Sequence, residues 1–329
     1  MKVRRDKLSV KTFFDEKKKE LELKNISGVE GEDRLVKTNY IICPGLVLAG
    51  YKSHFNDTAI QVLGMQEISF INQLKKEAFE KALKRLTGYH IPCIIISDNL
   101  AAPRLLTALC RSKKIPLFVS NAIKCELVHR ILDYIERKTA PYLYIHGTLV
   151  DVYGIGILFT GKSGIGKSET ALDLVQRGHR LIADDIVKVT KRSRDLLMGE
   201  GKEPVDFFHA HIEIRGIGIV DLAKIFGVRA TRLQKRVEIE VELIRWGEKS
   251  DIERTGLVEK TKQILGVKIP YKVIPLVPGK NISVLSEVVA LEHLLKLYAI
   301  DTPLIFNKSL VKFMKRKSEE FGQLDEDTE

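Results

Sequence analysis

The sequence predicts an α/β protein of two domains, a small N-terminal α/β domain over residues 1–134 and a C-terminal domain over 135–329 built around a phosphate-binding loop. Three observations predict this. From Asn39 to about Asn121, apolar strand-like runs alternate with stretches of helical spacing. The segment Asn121–Lys138 has helical periodicity and stops before Thr139-Ala140-Pro141, where proline marks a boundary. Beyond it, Gly161-Lys162-Ser163-Gly164-Ile165-Gly166-Lys167-Ser168 matches G-x-x-x-x-G-K-S/T between a strand-like and a helical segment.

Residues 1–25 mix basic and apolar positions, compatible with a strand and a short charged helix. Ile41-Ile42-Cys43, Ile91–Ser97 and Ile115–Val119 read as strands, and Glu77–Leu86 and Pro103–Arg111 as helices. Apolar positions at Ile123, Leu127, Ile131 and Ile135 mark the next helix, and the domain junction is placed near residue 135. In the second domain Tyr142–Gly147 and Ile155–Thr160 read as strands, and Glu169–Val175 as a helix. Strand-like runs follow at Gly178–Val189, His211–Val220 and Val237–Leu243, then a long apolar helix at Val284–Tyr298.

Composition narrows the class. A hydrophobic fraction of 44% fits a packed globular chain, and no apolar run is long enough to span a bilayer. The basic N-terminus lacks an apolar signal core, so a cytoplasmic protein without membrane contact is expected. Cys43, Cys93, Cys110 and Cys125 are widely spaced without a C-x-x-C pair, which suits reduced thiols. The net charge of +11 fits a lysine-rich solvated surface, an acidic or phosphorylated protein substrate, or a nucleic acid. No basic stripe interleaved with aromatics supports base stacking, so no nucleic-acid partner is expected.

The loop carries the chemistry. Its glycines let backbone N–H groups turn onto a phosphate, and the following helix adds its positive dipole end. Lys167 would neutralise the β- and γ-phosphates of ATP, and the Ser168 hydroxyl would bind Mg²⁺. Downstream, the apolar run Arg180–Ala183 ends in Asp184-Asp185. One carboxylate there can reach the metal shell and the other can take a proton from an attacking hydroxyl; a surface Asp-Asp turn is the plainer alternative. His146, alone at a strand end, says little. In Ile212–Asp221, Glu213 and Arg215 would share one side of a strand and serve a metal and a phosphate, or form an exposed salt bridge.

Together these residues resemble the HPr kinase/phosphorylase family of bacteria. The resemblance is carried by His146-Gly147 with Asp151-Val152, by the loop continuing through Glu169–Leu172 to Arg177–Leu181 and Ala183-Asp184-Asp185, by Glu213-Ile214-Arg215-Gly216-Ile217-Gly218-Ile219, and by Pro278-Gly279-Lys280-Asn281. Pro44-Gly45-Leu46, Leu63-Gly64-Met65 and Ile91–Ile95 extend it into the first domain. It implies a C-terminal P-loop kinase domain resembling phosphoenolpyruvate carboxykinase. It implies ATP- and Mg²⁺-dependent phosphorylation of a serine on the phosphocarrier protein HPr, and phosphorolysis by inorganic phosphate that releases pyrophosphate. A homohexamer, a part in carbon catabolite repression, and pyrophosphate as an alternative donor come with it.

Position by position, the resemblance implies that Asp185 is the catalytic base, Lys167 stabilises the transferred phosphoryl group, and Ser168 and Glu213 hold Mg²⁺. His146 and Arg254 match a catalytic histidine and arginine, the latter preceded by Ile252-Glu253 where Tyr-Asp is usual. The family's usual Pro-Val-Arg-Pro-Gly-Arg-Asn reads Pro275-Leu276-Val277-Pro278-Gly279-Lys280-Asn281 here. Val277 and Lys280 replace bidentate arginines, so weaker phosphorolysis is expected. A P-loop kinase for a small metabolite or another protein is the alternative.

Overall fold

The computed structural model describes residues 2–28, 30–193, 195–202, 211–247 and 257–326. The chain divides into two compact units, Arg5–Ala140 and Pro141–Glu329, the latter also holding Met1–Arg4.

The N-terminal unit opens with β1 (Leu8–Ser9), α1 (Val10–Lys17), β2 (Lys24–Asn25), β3 (Leu35–Val36) and β4 (Ile41–Ile42). It continues with α2 (Gly45–Ala49), β5 (Ile60–Leu63), α3 (Met65–Gln73), α4 (Lys76–Leu86) and β6 (Ile94–Ile96), then α5 (Arg104–Ser112), β7 (Leu117–Val119) and α6 (Lys124–Thr139). Strands β4, β5, β6 and β7 are parallel neighbours in that order, with β2 antiparallel on β7. Both faces of this sheet are covered, so its strands are short continuous apolar runs. Phe13, Leu127 and Ile131 pack on one face, and Leu48, Ile71, Leu83 and Leu106 on the other. Helix α6 persists to Thr139, past residue 135, and Pro141 follows its end.

The second unit contains β8 (Tyr142–His146), β9 (Thr148–Val152), β10 (Ile155–Gly161), α7 (Lys167–Gln176), β11 (Arg180–Ala183), β12 (Ile186–Ser193) and β13 (Leu196–Gly201). Then come β14 (His211–Ile214), β15 (Gly218–Asp221), α8 (Leu222–Phe226), β16 (Gln234–Arg236), β17 (Ile239–Arg245), β18 (Thr261–Ile264), β19 (Val267–Leu276), α9 (Ile282–Leu297) and α10 (Thr302–Glu326). A six-stranded sheet runs β11-β9-β10-β17-β19-β18, and a four-stranded sheet runs β16-β13-β12-β8. Their facing residues, among them Leu149, Leu158, Val187 and Ile269, form one core. On the other face of the larger sheet, Phe159, Val241 and Ile274 pack with Ala171 and Leu174 of α7 and Ala290 of α9.

The run Gly178–Val189, read from sequence as one strand, is broken. Asp185 adopts φ 61°, and the chain leaves β11 in one sheet to enter β12 in the other. The run His211–Val220 is likewise a hairpin, β14 paired with β15, whose turn contains Arg215. Helix α10, absent from the sequence reading, holds the basic cluster Lys312–Lys317.

Candidate active site

Strands β10, β17 and β19 are parallel, so their carboxyl ends share one edge of the sheet. Open α/β sheets bind ligands at this edge. Strand β11 is antiparallel to β9 and β9 to β10, which brings the end of β11 and the start of β9 to the same edge.

The loop Gly161–Ser168 leaves β10 there and enters α7. Gly161, Gly164 and Gly166 take φ values of 139°, 70° and 102°, a region side chains with a Cβ disfavour. At Gly161 a Cβ would strike the Leu243 carbonyl, and at Gly164 the Arg215 guanidinium. Ile165 is buried in the core and anchors the loop, while Lys162 and Ser163 stay exposed. Lys167 is buried, and its ammonium donates to the carbonyls of Gly161 (3.3 Å) and Lys162 (3.2 Å).

Two acids follow β11 in different settings. Asp184 is partly buried, and its Oδ2 accepts from Ser168 Oγ at 2.8 Å while Oδ1 accepts from Thr148 Oγ1 at 2.6 Å. Burial pushes its carboxyl above the usual range; the two hydroxyl donors oppose this, and the charge of Asp185 adds to it. Asp185 is exposed. Its main-chain carbonyl accepts from Gly147 N–H at 3.1 Å and from His146 Nδ1 at 2.9 Å. A carbonyl can only accept, so the His146 proton sits on Nδ1 and a neutral ring offers Nε2 as its lone pair.

The remaining expected residues are placed unevenly. Glu213 is exposed on β14, whose Ile212 and Ile214 pack in the α7 core. Arg215 is not beside it on a strand face; the turn carries its guanidinium to Gly164. Arg254 lies outside the described residues. Val277 and Lys280 lie in the turn after β19, closed by Lys280 N–H donating to Val277 O at 3.0 Å. That turn shares the sheet edge with the loop. Among the described residues no group of three or more His, Cys, Asp and Glu is gathered for a metal, and no helix is long and apolar enough to cross a membrane.

Sequence reasoning missed Thr148, whose hydroxyl holds Asp184 from a different strand. It also left open which acid of the pair meets Ser168. His179, quoted for the resemblance, is buried in the turn between α7 and β11 and pairs with Glu287 of α9 at 3.1 Å, away from the loop.

A family model described as HPr Serine kinase N terminus matches residues 8–135, and one described as HPr Serine kinase C-terminal domain matches 137–310. The chain belongs to the HPr kinase/phosphorylase family. Among its relatives, the HPr kinase/phosphorylase of Chloroherpeton thalassium is 40% identical, covering 94% of this chain and 90% of its own. That of Prosthecochloris aestuarii is 42% identical, covering 89% and 86%. A solved Hpr(Ser) kinase/phosphatase from Coxiella burnetii is 31% identical, covering 50% of this chain and 98% of that one, with a TM-score of 0.44. In this chain the site combines a glycine-rich loop, a hydroxyl-bonded acid and an exposed acid at one sheet edge.

Proposed function

We propose that this chain is a bifunctional protein-serine kinase/phosphorylase. It transfers the γ-phosphoryl group of ATP, with pyrophosphate as an alternative donor, to a serine of HPr. It removes that phosphate by phosphorolysis, forming pyrophosphate. The observation that carries the reading is the placement of Ser168–Asp184 and exposed Asp185 beside the glycine-rich loop, in a chain of this family.

The donor set suits Mg²⁺. Ser168 Oγ and the Asp184 carboxylate supply oxygens 2.8 Å apart, and the exposed Glu213 carboxylate is a further candidate. Magnesium takes one or two carboxylates together with substrate phosphates and water, so a crowded protein cage is not required. Bound there, Mg²⁺ would neutralise charge on the phosphates.

The chain's own residues do the rest. In this P-loop kinase reading, loop N–H groups hold the phosphates, and Lys167 offers its remaining N–H to the transferred group. Asp185 takes the proton from the HPr serine hydroxyl as that oxygen attacks phosphorus. In reverse, phosphate attacks phosphoserine and Asp185 returns the proton to the leaving serine oxygen, as microscopic reversibility requires. His146, tied by Nδ1 to the Asp185 main chain, fixes the position of that acid and keeps Nε2 for the reacting groups. Arg254 completes the assignment as the catalytic arginine.

The wider reading follows the family resemblance: a cytoplasmic homohexamer that regulates sugar uptake and carbon catabolite repression. The chemistry lies in residues 135–329, in a domain resembling phosphoenolpyruvate carboxykinase. Incubation with ATP, Mg²⁺ and purified HPr tests the forward reaction, with phosphoserine read by mass spectrometry. Intact ATP binding without phosphorylation of HPr would redirect the assignment to another substrate.

A further inference from the structure

Behind the loop, on the sheet face away from α7, lies a carboxylate that the proposed reaction does not use. Glu240 on β17 is 1% exposed, deep for an ionisable side chain. Its Oε1 accepts from Thr160 Oγ1 at 2.7 Å and from Lys262 Nζ at 2.5 Å. Thr160 precedes Gly161, the last residue of β10 and the first of the loop, and the Gly161 carbonyl accepts from Lys167 Nζ. One chain of contacts therefore runs from Lys262 on β18, through Glu240 and Thr160, to the lysine of the loop.

Lys262 is itself held. Its ammonium lies 5.4 Å from the centroid of the Tyr271 ring, and the Tyr271 hydroxyl donates to Glu242. The side chain of Lys262 is 47% exposed, so its charge is partly solvated while that of Glu240 is not.

A buried anion behind an anion-binding loop opposes phosphate binding unless its charge is balanced. From this geometry we infer that Glu240 is a positioning residue for the phosphate loop, holding Thr160 at the strand end, with Lys262 as the counter-charge that keeps the loop fit for phosphate. This inference rests on reading Gly161–Ser168 as the phosphate-binding loop.

The test is calorimetric titration of the full chain with ATP and Mg²⁺, and separately with inorganic phosphate. It compares wild type, Lys262→Met, Glu240→Gln and the double variant, with Tm recorded for each. Lys262→Met should weaken both ligands by about three- to tenfold, the size expected of one unbalanced, partly screened charge behind the loop. Adding Glu240→Gln should restore the affinity. In the forward assay, Lys262→Met should raise the KM for ATP and leave kcat and the KM for HPr unchanged. A merely structural pair would lower Tm in all variants without this restoration. Unchanged affinity in Lys262→Met, or a double variant as weak as the single, would overturn the inference.

If the charge variants fail to fold, Thr160→Val against Thr160→Ser decides the positioning claim. Valine should weaken ATP and serine should retain it; equal affinity in the two would overturn the claim. Wild-type protein that binds neither ATP nor phosphate would overturn the loop reading itself, and the inference with it. Because the readout is binding, a failure of HPr as substrate leaves the test intact.

Discussion

Ser168 Oγ donates to Asp184 Oδ2 across 2.8 Å, joining the last residue of the glycine-rich loop to the acid that follows β11. The same carboxylate takes a second hydrogen bond from Thr148, so its orientation is fixed by two strands and a helix start. Adjacent Asp185, turned by its φ of 61°, keeps an exposed side chain. Two neighbouring acids thus have different hydrogen bonding and exposure.

Asp184→Asn should separate stability from activity. The Asp184 carboxyl is raised by burial, so the folded state holds its proton more tightly than the unfolded state. The stability this provides is complete below the unfolded value and is lost as pH rises through the folded one. Above both values the ionised group therefore opposes folding, and the asparagine variant should there have an equal or higher Tm. That advantage should shrink as pH falls toward 4. The new amide would donate to Ser168 Oγ and occupy the lone pair that the proposed function gives to Mg²⁺. Mg²⁺-dependent activity should fall by about 10- to 100-fold. A lower Tm above both values with normal Mg²⁺ dependence would contradict this.

Asp185→Asn should abolish both directions while ATP binding stays close to wild type, because the loop is untouched. Rates in the two directions and the Kd for ATP are the measurements. A large loss of nucleotide affinity would mean that Asp185 serves the metal and is not primarily the base.

Gly164→Ala tests the loop geometry. Alanine at φ 70° costs about 1–2 kcal/mol, and its methyl must also displace the Arg215 guanidinium. The KM for ATP should rise and Tm should fall by a few degrees, about 2–4 °C per kcal/mol for a domain of this size. An unchanged KM would show that the loop does not bind phosphate in this conformation.

Val277→Arg should raise phosphorolysis of phosphoserine-HPr with little effect on the kinase direction. The turn that holds Val277 lies at the carboxyl end of β19, on the loop's edge of the sheet. A planar guanidinium there would supply bidentate donors for phosphate. No change in the reverse rate would remove the idea.

What was legible in the sequence was local. The loop, the strand before it and the helix after it follow from contiguous residues, and the Asp184-Asp185 pair is visible at the end of an apolar run. The contacts that distinguish the two acids were not legible, because Thr148 lies 36 residues from Asp184 along the chain. The sheet switch at Asp185 was hidden because apolar residues continue on both sides of it. Arg215 was read as a strand residue because alternation continued through Ile214; glycine at Gly216, with φ 83°, makes the turn instead. Helix α10 escaped the reading because its apolar positions are interrupted by a dense basic cluster.

The most direct test of the central claim is the reverse reaction of purified protein with phosphoserine-HPr, Mg²⁺ and inorganic phosphate, run beside the forward reaction with ATP. The account predicts phosphoserine formation forward, and loss of phosphoserine with stoichiometric pyrophosphate in reverse, the reverse rate being the weaker because of Val277. Release of inorganic phosphate by simple hydrolysis, without pyrophosphate, would contradict it.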